Sequence, residues 1–144
     1  MDSFSLYCLA TESDQAEMPR ALGLIEARLA ADDSRADNWL YKGALLARMG
    51  AGLEDQDRRQ RFLTTGLNLM RGAQPSLWLG AVVQLQMLYA RALTVAILPR
   101  PPVTLSEASR NMQALLGHPG FDRLHPLRRA QALAMKGRLP GGLL

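Results

Sequence analysis

Residues 21–50, ALGLIEARLAADDSRADNWLYKGALLARMG, constrain the fold more than any other stretch of this chain. Two segments with apolar residues at three- and four-residue spacing flank a short polar run, Asp32-Asp33-Ser34. In the first segment Leu22, Ile25 and Leu29 fall on one face of a helix. Asp33 or Ser34 can cap the second by accepting hydrogen bonds from the free N–H groups of its first turn. That second helix carries Trp39, Gly43 and Leu46 and is expected to stop at Gly50, which tolerates a left-handed helix end. Helices joined so closely fold back on each other, so the stretch predicts an antiparallel hairpin.

Helical periodicity extends over the rest of the chain. Ser3 is placed to cap a short helix over residues 4–10, with Phe4, Tyr7 and Cys8 on one face. A helix over 57–71 would turn Phe62, Leu63, Gly66, Leu67 and Met70 inward, and Gly72 and Pro75 would end it. Ser76 would cap a long helix over 77–98 that stops at the Pro99, Pro101, Pro102 cluster. Thr104 and Glu107 have capping-box spacing and open a helix over 105–116, with Leu105, Ala108, Met112 and Leu115 on one face. Pro126 suits the first turn of a last helix to about residue 136, because its missing N–H costs nothing there. The expectation is an all-α fold of six to seven helices in antiparallel hairpins. Residues 1–137 make one domain and 138–144, with Gly141 and Gly142, a flexible tail.

The 22 residues from 77 to 98 carry one formal charge, Arg91. Their length would suit a membrane span. Arg91 lies well inside, however, and burying it in a bilayer costs roughly 2.5–3.5 kcal/mol on insertion scales. Gln84 and Gln86 add to that cost. A buried central helix is the better reading, with Gln84, Arg91 and Thr94 on its exposed stripe. An apolar side left open on that helix would mark a partner site.

Residues 21–50 resemble the tetratricopeptide repeat family, a helix–turn–helix repeat of about 34 residues. Trp39 is followed by Gly43, Leu46 and Gly50 at the family's spacing, and Ala21 and Ile25 match a preceding second helix. Lys42, Arg28 and Asp55 depart from the pattern. A fainter echo involves Ala108, Met112 and Leu115, then Ala130, Leu133 and Gly137. The resemblance implies a degenerate right-handed superhelix whose first helices line a concave, protein-binding face. On this chain that face would present Asp37, Leu40, Ala44 and Ala47, with Arg48 nearby. The family's carboxylate-clamp residues are missing there, so the face suits apolar contact. The alternative is that Leu40 and Ala44 simply pack against the first two helices.

Charge is uneven along the chain. Residues 1–72 hold nine basic and eleven acidic side chains, whereas residues 73–144 hold eight basic and two acidic, a net +6. Arg91, Arg128 and Arg129 belong to this basic half and would steer an acidic partner. Chemistry is poorly represented. Cys8 is the single cysteine, which excludes an intrachain disulfide. His118 and His125 flank a Pro-Gly turn without zinc-ligand spacing, and no glycine-rich loop has phosphate-binding spacing. No catalytic, cofactor or metal residue is therefore assigned. The expected function is a non-enzymatic adaptor that holds a protein segment in an apolar groove with basic flanks. A chaperone or assembly subunit of a bacterial secretion or envelope system is the runner-up, and a basic helical nucleic-acid binder the rival class. Aromatic interleaving and a recognition-helix pattern are missing for the last. A homo-oligomer is left open. The N-terminal residues lack the pattern of a secretory signal, so the expected location is the cytoplasm, or else the chain is a soluble piece of a larger or exported protein.

Overall fold

A computed structural model describes residues 1–13, 15–74 and 77–139. Among them are seven α-helices: α1 (Ser3–Glu12), α2 (Glu17–Ala31), α3 (Ala36–Ala51), α4 (Gln56–Gly72), α5 (Ala81–Ile97), α6 (Leu105–Leu116) and α7 (Pro126–Arg138). Short 3-10 turns at Leu77–Leu79 and Phe121–Arg123 lead into α5 and α7, and no strand occurs among the described residues. Each helix packs on its chain neighbour in α1–α2, α2–α3, α3–α4, α5–α6 and α6–α7. The odd-numbered helices also touch one another, α1 with α3 and α5, α3 with α5, and α5 with α7.

The tightest contact joins α3 to α4. A Cβ at Gly43 would lie 2.7 Å from the Gly66 carbonyl oxygen, and one at Gly66 would lie 2.5 Å from the Gly43 carbonyl oxygen. Two glycines facing each other therefore let the backbones touch. Gly50 sits against Phe62 Cβ at 2.6 Å from such an added carbon. Gly43 and Gly50 face progressively earlier parts of α4, so the two helices are antiparallel. α3 does not stop at Gly50 as expected. It runs to Ala51 and is capped by Gly52 at φ −90°. Close approach, rather than a left-handed turn, explains the glycine at position 50.

Several other expectations are corrected. The N-cap of α3 is Arg35, whose side chain accepts no bond from the helix's first N–H groups; Asp32 instead accepts from the Ser34 N–H at 3.0 Å. Asp2, not Ser3, caps α1, accepting from Ser5 N–H at 2.7 Å. Ser3 turns inward and donates to Asn38 Oδ1. The buried face of α2 is Met18, Ala21, Ile25 and Leu29, with Leu22 at its margin. Leu105 is 40% exposed, leaving Ala108, Met112 and Leu115 as the inner face of α6. Arg28, at a position the repeat pattern keeps small, reaches across to α1, where its Nη1 donates to Ser3 Oγ.

The long central helix is shorter than its sequence implies. It covers 17 residues, because Gly80 adopts φ +89°, the left-handed region, and halts helical propagation from the preceding turn. The expected cap Ser76 and the stop at Pro75 lie outside the described residues. Thr94 is buried rather than on the exposed stripe. No helix among the described residues is long and apolar enough to cross a membrane. At the other end, α7 continues to Arg138 and Leu139 is buried, so the core extends past residue 137. Residues 140–144 of the expected tail lie outside the described residues.

Cys8 is buried, and burial pushes its thiol up to about 11 from 9.0. Burial also raises the hydroxyls of Tyr41 and Tyr89. Between those bounds the folded chain keeps a proton that the unfolded chain releases, so stability falls as pH rises through this window. Urea midpoints should hold steady to about pH 9 and drop above it, and a disulfide reagent should label Cys8 only after unfolding.

Candidate functional site

A groove of about 760 Å³ opens where the start of α1, the start of α5 and the α6–α7 connection meet. Phe4, Val82, Leu85 and Leu124 give it an apolar floor. Leu85 and Leu124 are anchored in the core, whereas Val82 is 66% exposed. Helix α5 begins only after Gly80, and its first turn keeps an open side. Trp78, two residues before Gly80, is 97% exposed.

The rim is polar and basic. His118, His125, Arg123 and Arg128 line it, and no Asp or Glu does. Both histidines also shape the wall. His118 Nδ1 accepts from the Gly120 N–H at 2.9 Å, and His125 Nδ1 accepts from the Leu127 N–H at 3.1 Å, capping α7. The first bond leaves the His118 proton on Nε2, which faces Gln84 Oε1 at 3.4 Å. Arg128 pairs with Glu12 and lies over the Phe4 ring at 6.0 Å. Arg123 is exposed and has no ion-pair partner among the described residues.

The residues expected to form a binding face are distributed differently. Leu40, Ala44 and Ala47 are 0% exposed, so they line no surface of this chain. Ala47 lies against Gly66 of α4. Asp37 is buried and held by Arg35, whose Nε and Nη2 donate to its two carboxylate oxygens at 3.0 and 2.9 Å. Helix α3 is enclosed on several sides, since α1, α2, α4 and α5 all pack on it, and the Tyr7 ring of α1 stacks on Tyr41 at 5.7 Å.

Arg48 points into the protein. Its Nε donates to Thr94 Oγ1 at 3.1 Å and its Nη2 to the Tyr7 hydroxyl at 3.0 Å, while those two hydroxyls bond each other at 2.7 Å. Arg91 donates to the carbonyls of Met70 and Ala73, tying α5 to the end of α4. Burial lowers its pKa from the usual guanidinium value, and Glu107 partly opposes that effect. Arg129 is half-buried on α7, with its Nε unpartnered among the described residues. Of the eight expected contact residues, only Arg128 lines the groove.

Phe4, Val82, Gln84, Leu85 and Arg123 are not expected as contacts from sequence. The signal available for them is the apolar start of the 77–98 segment immediately after Gly80. Among the described residues no three His, Cys, Asp or Glu side chains gather in a metal-binding cluster. Comparison with protein-family models, curated proteins and solved structures finds no match to this chain.

Proposed function

We propose that this chain is a non-enzymatic interaction module, built along the lines of tetratricopeptide repeats, that holds an acidic amphipathic helix of a partner protein. The repeat-like reading is supported by the odd helices, which contact one another along the chain order (α1 with α3, α3 with α5, α5 with α7), although α1 also reaches α5, and by each even helix packing on a helix next to it in the chain. The binding reading rests on the groove, which joins an apolar floor, exposed at Val82, to a rim free of acidic side chains. A helix carrying apolar residues three and four apart would bury them on Val82, Phe4 and Leu85. Acidic residues flanking that stripe would meet Arg123 and the surplus charge of the second half.

Selection from a random peptide library on the immobilised chain tests this reading. Enriched peptides are expected to combine an apolar helical stripe with Asp or Glu. Val82→Asp and Arg123→Glu should each weaken them at least tenfold. Both side chains are exposed, so stability should move by no more than about 0.5 kcal/mol. Peptides without acidic residues, or peptides insensitive to both changes, would argue against the groove. Binding of generic duplex DNA with a steep salt dependence would favour the nucleic-acid class instead.

A further inference from the structure

A second, smaller cavity of about 240 Å³ lies between α1, α3, α5 and α7. Glu12 lines this cavity and Arg128 lines the groove, so their ion pair forms the partition between the two. From the lining residues of this cavity we infer a binding site for a carboxylate carrying a short aliphatic tail.

The inference starts from Arg48. Arg48 is half-buried in the cavity wall, and a guanidinium drawn part-way out of water is favoured by a carboxylate beside it, because desolvating an unpaired charge is costly. Here its Nε and Nη2 bond only to hydroxyls, on Thr94 and Tyr7, and no acidic side chain pairs with it among the described residues. Its Nη1 makes no bond among the described residues, leaving one edge of the fork for a ligand. Arg138 lines the same cavity without an ion-pair partner among the described residues. Glu12 is the single acidic lining residue, and Arg128 already neutralises it.

One neutral group adds a donor. Tyr89 donates its hydroxyl to Gln131 Oε1 at 2.6 Å, which leaves the Gln131 amide N–H₂ as a free donor. Thr11 spends its hydroxyl proton on the α1 carbonyls of Tyr7 and Cys8. The donors left to a ligand are therefore Arg48 Nη1, Arg138 and the Gln131 amide, and the one carboxylate of the wall is already neutralised. Leu93, Ile97 and Met135 supply an apolar side. A flat carboxylate matches the guanidinium fork, and a tail of a few carbons matches the apolar wall. A cavity of about 240 Å³ suits a short-chain acid such as hexanoate.

The test is titration of the full chain with hexanoate, hexanamide and inorganic phosphate at constant ionic strength, followed by backbone amide shifts. A peptide ending in Ala-Leu, as free acid and as amide, separates a small-molecule source from a partner's C-terminus. Hexanoate or the free-acid peptide should shift Tyr7, Arg48, Tyr89 and Gln131, at least tenfold more tightly than its amide. Arg48→Lys risks misfolding, so Arg138→Gln and Ala134→Trp carry the mutational arm. The first should weaken binding several-fold, and the second should block the mouth and abolish it. Equal binding of acid and amide, binding of phosphate as tight as hexanoate, no shifts with any acid, or unchanged binding in Ala134→Trp would each overturn the site.

Discussion

Gly43→Ala is expected to lower stability by about 2 kcal/mol, although alanine is the better helix former. Replacing glycine within a helix should gain about 1 kcal/mol from propensity alone. At Gly43 the new methyl would meet the Gly66 carbonyl oxygen at 2.7 Å, Leu69 Cβ at 2.8 Å and Met70 N at 2.9 Å. Two of those three are backbone atoms, which cannot rotate away, so α3 and α4 must separate. Overpacking of this kind costs roughly 1–3 kcal/mol and occasionally more. Separation would also loosen Leu63, Leu67 and Met70, all at most 2% exposed. Gly66→Ala should behave alike, since its methyl would lie 2.6 Å from Ala47 N. Gly23 is the internal control: it sits within α2 with nothing within 4 Å of an added carbon. Gly23→Ala should therefore stabilise by roughly 0.5–1 kcal/mol. Thermal or urea unfolding of the three variants checks the opposite signs.

Tyr7→Phe and Tyr41→Phe should also differ in sign, although the two rings stack on each other. The Tyr7 hydroxyl holds three partners: Arg48, Thr94 and the Ala90 carbonyl. Removing it strands a guanidinium N–H and weakens the anchorage of α1 on α5. A loss of about 2–3 kcal/mol is expected, because hydrogen bonds to charged groups sit at the upper end of the usual range. The Tyr41 hydroxyl is buried without a partner among the described residues. Tyr41→Phe removes a polar atom that gains nothing from the fold, so stability should hold or rise by about 1 kcal/mol. Equal losses for both variants would mean that the Tyr7–Thr94–Arg48 cluster contributes little.

The hairpin at the centre of the fold was legible because its determinants are local. Trp39 and Gly43 are one helical turn apart, and the inward face of α4, with Gly66 on it, follows from spacing alone. The reason for Gly50 was not legible. A helix-ending glycine and a close-contact glycine look the same in sequence, and only the position of Phe62 distinguishes them. Arg48 was misplaced on a surface because its partners, Tyr7 and Thr94, stand 41 and 46 residues away. Leu40 and Ala44 left two readings open, a binding face or packing against other helices, and burial decides for packing: no local pattern announces that α1, α2, α4 and α5 all pack on α3. The groove draws on three separate segments, so no single stretch of sequence displays it. Its one local trace is the helix break at Gly80, which lies within the apolar stretch 77–83.

Backbone amide mapping with a matched pair of helical peptides locates the binding surface and reads its charge preference together. Both carry leucines three and four apart, one with glutamates on the flanks and the other with lysines. The glutamate peptide should bind and shift Phe4, Ser5, Val82, Gln84, Leu85 and the 118–128 segment, while the lysine peptide should bind at least tenfold more weakly. Equal binding of the pair would show that the basic rim does not select an acidic helix. Shifts centred on the exposed leucines of the α1–α2 side, Leu9 and Leu24, which lie outside this groove, would contradict the account.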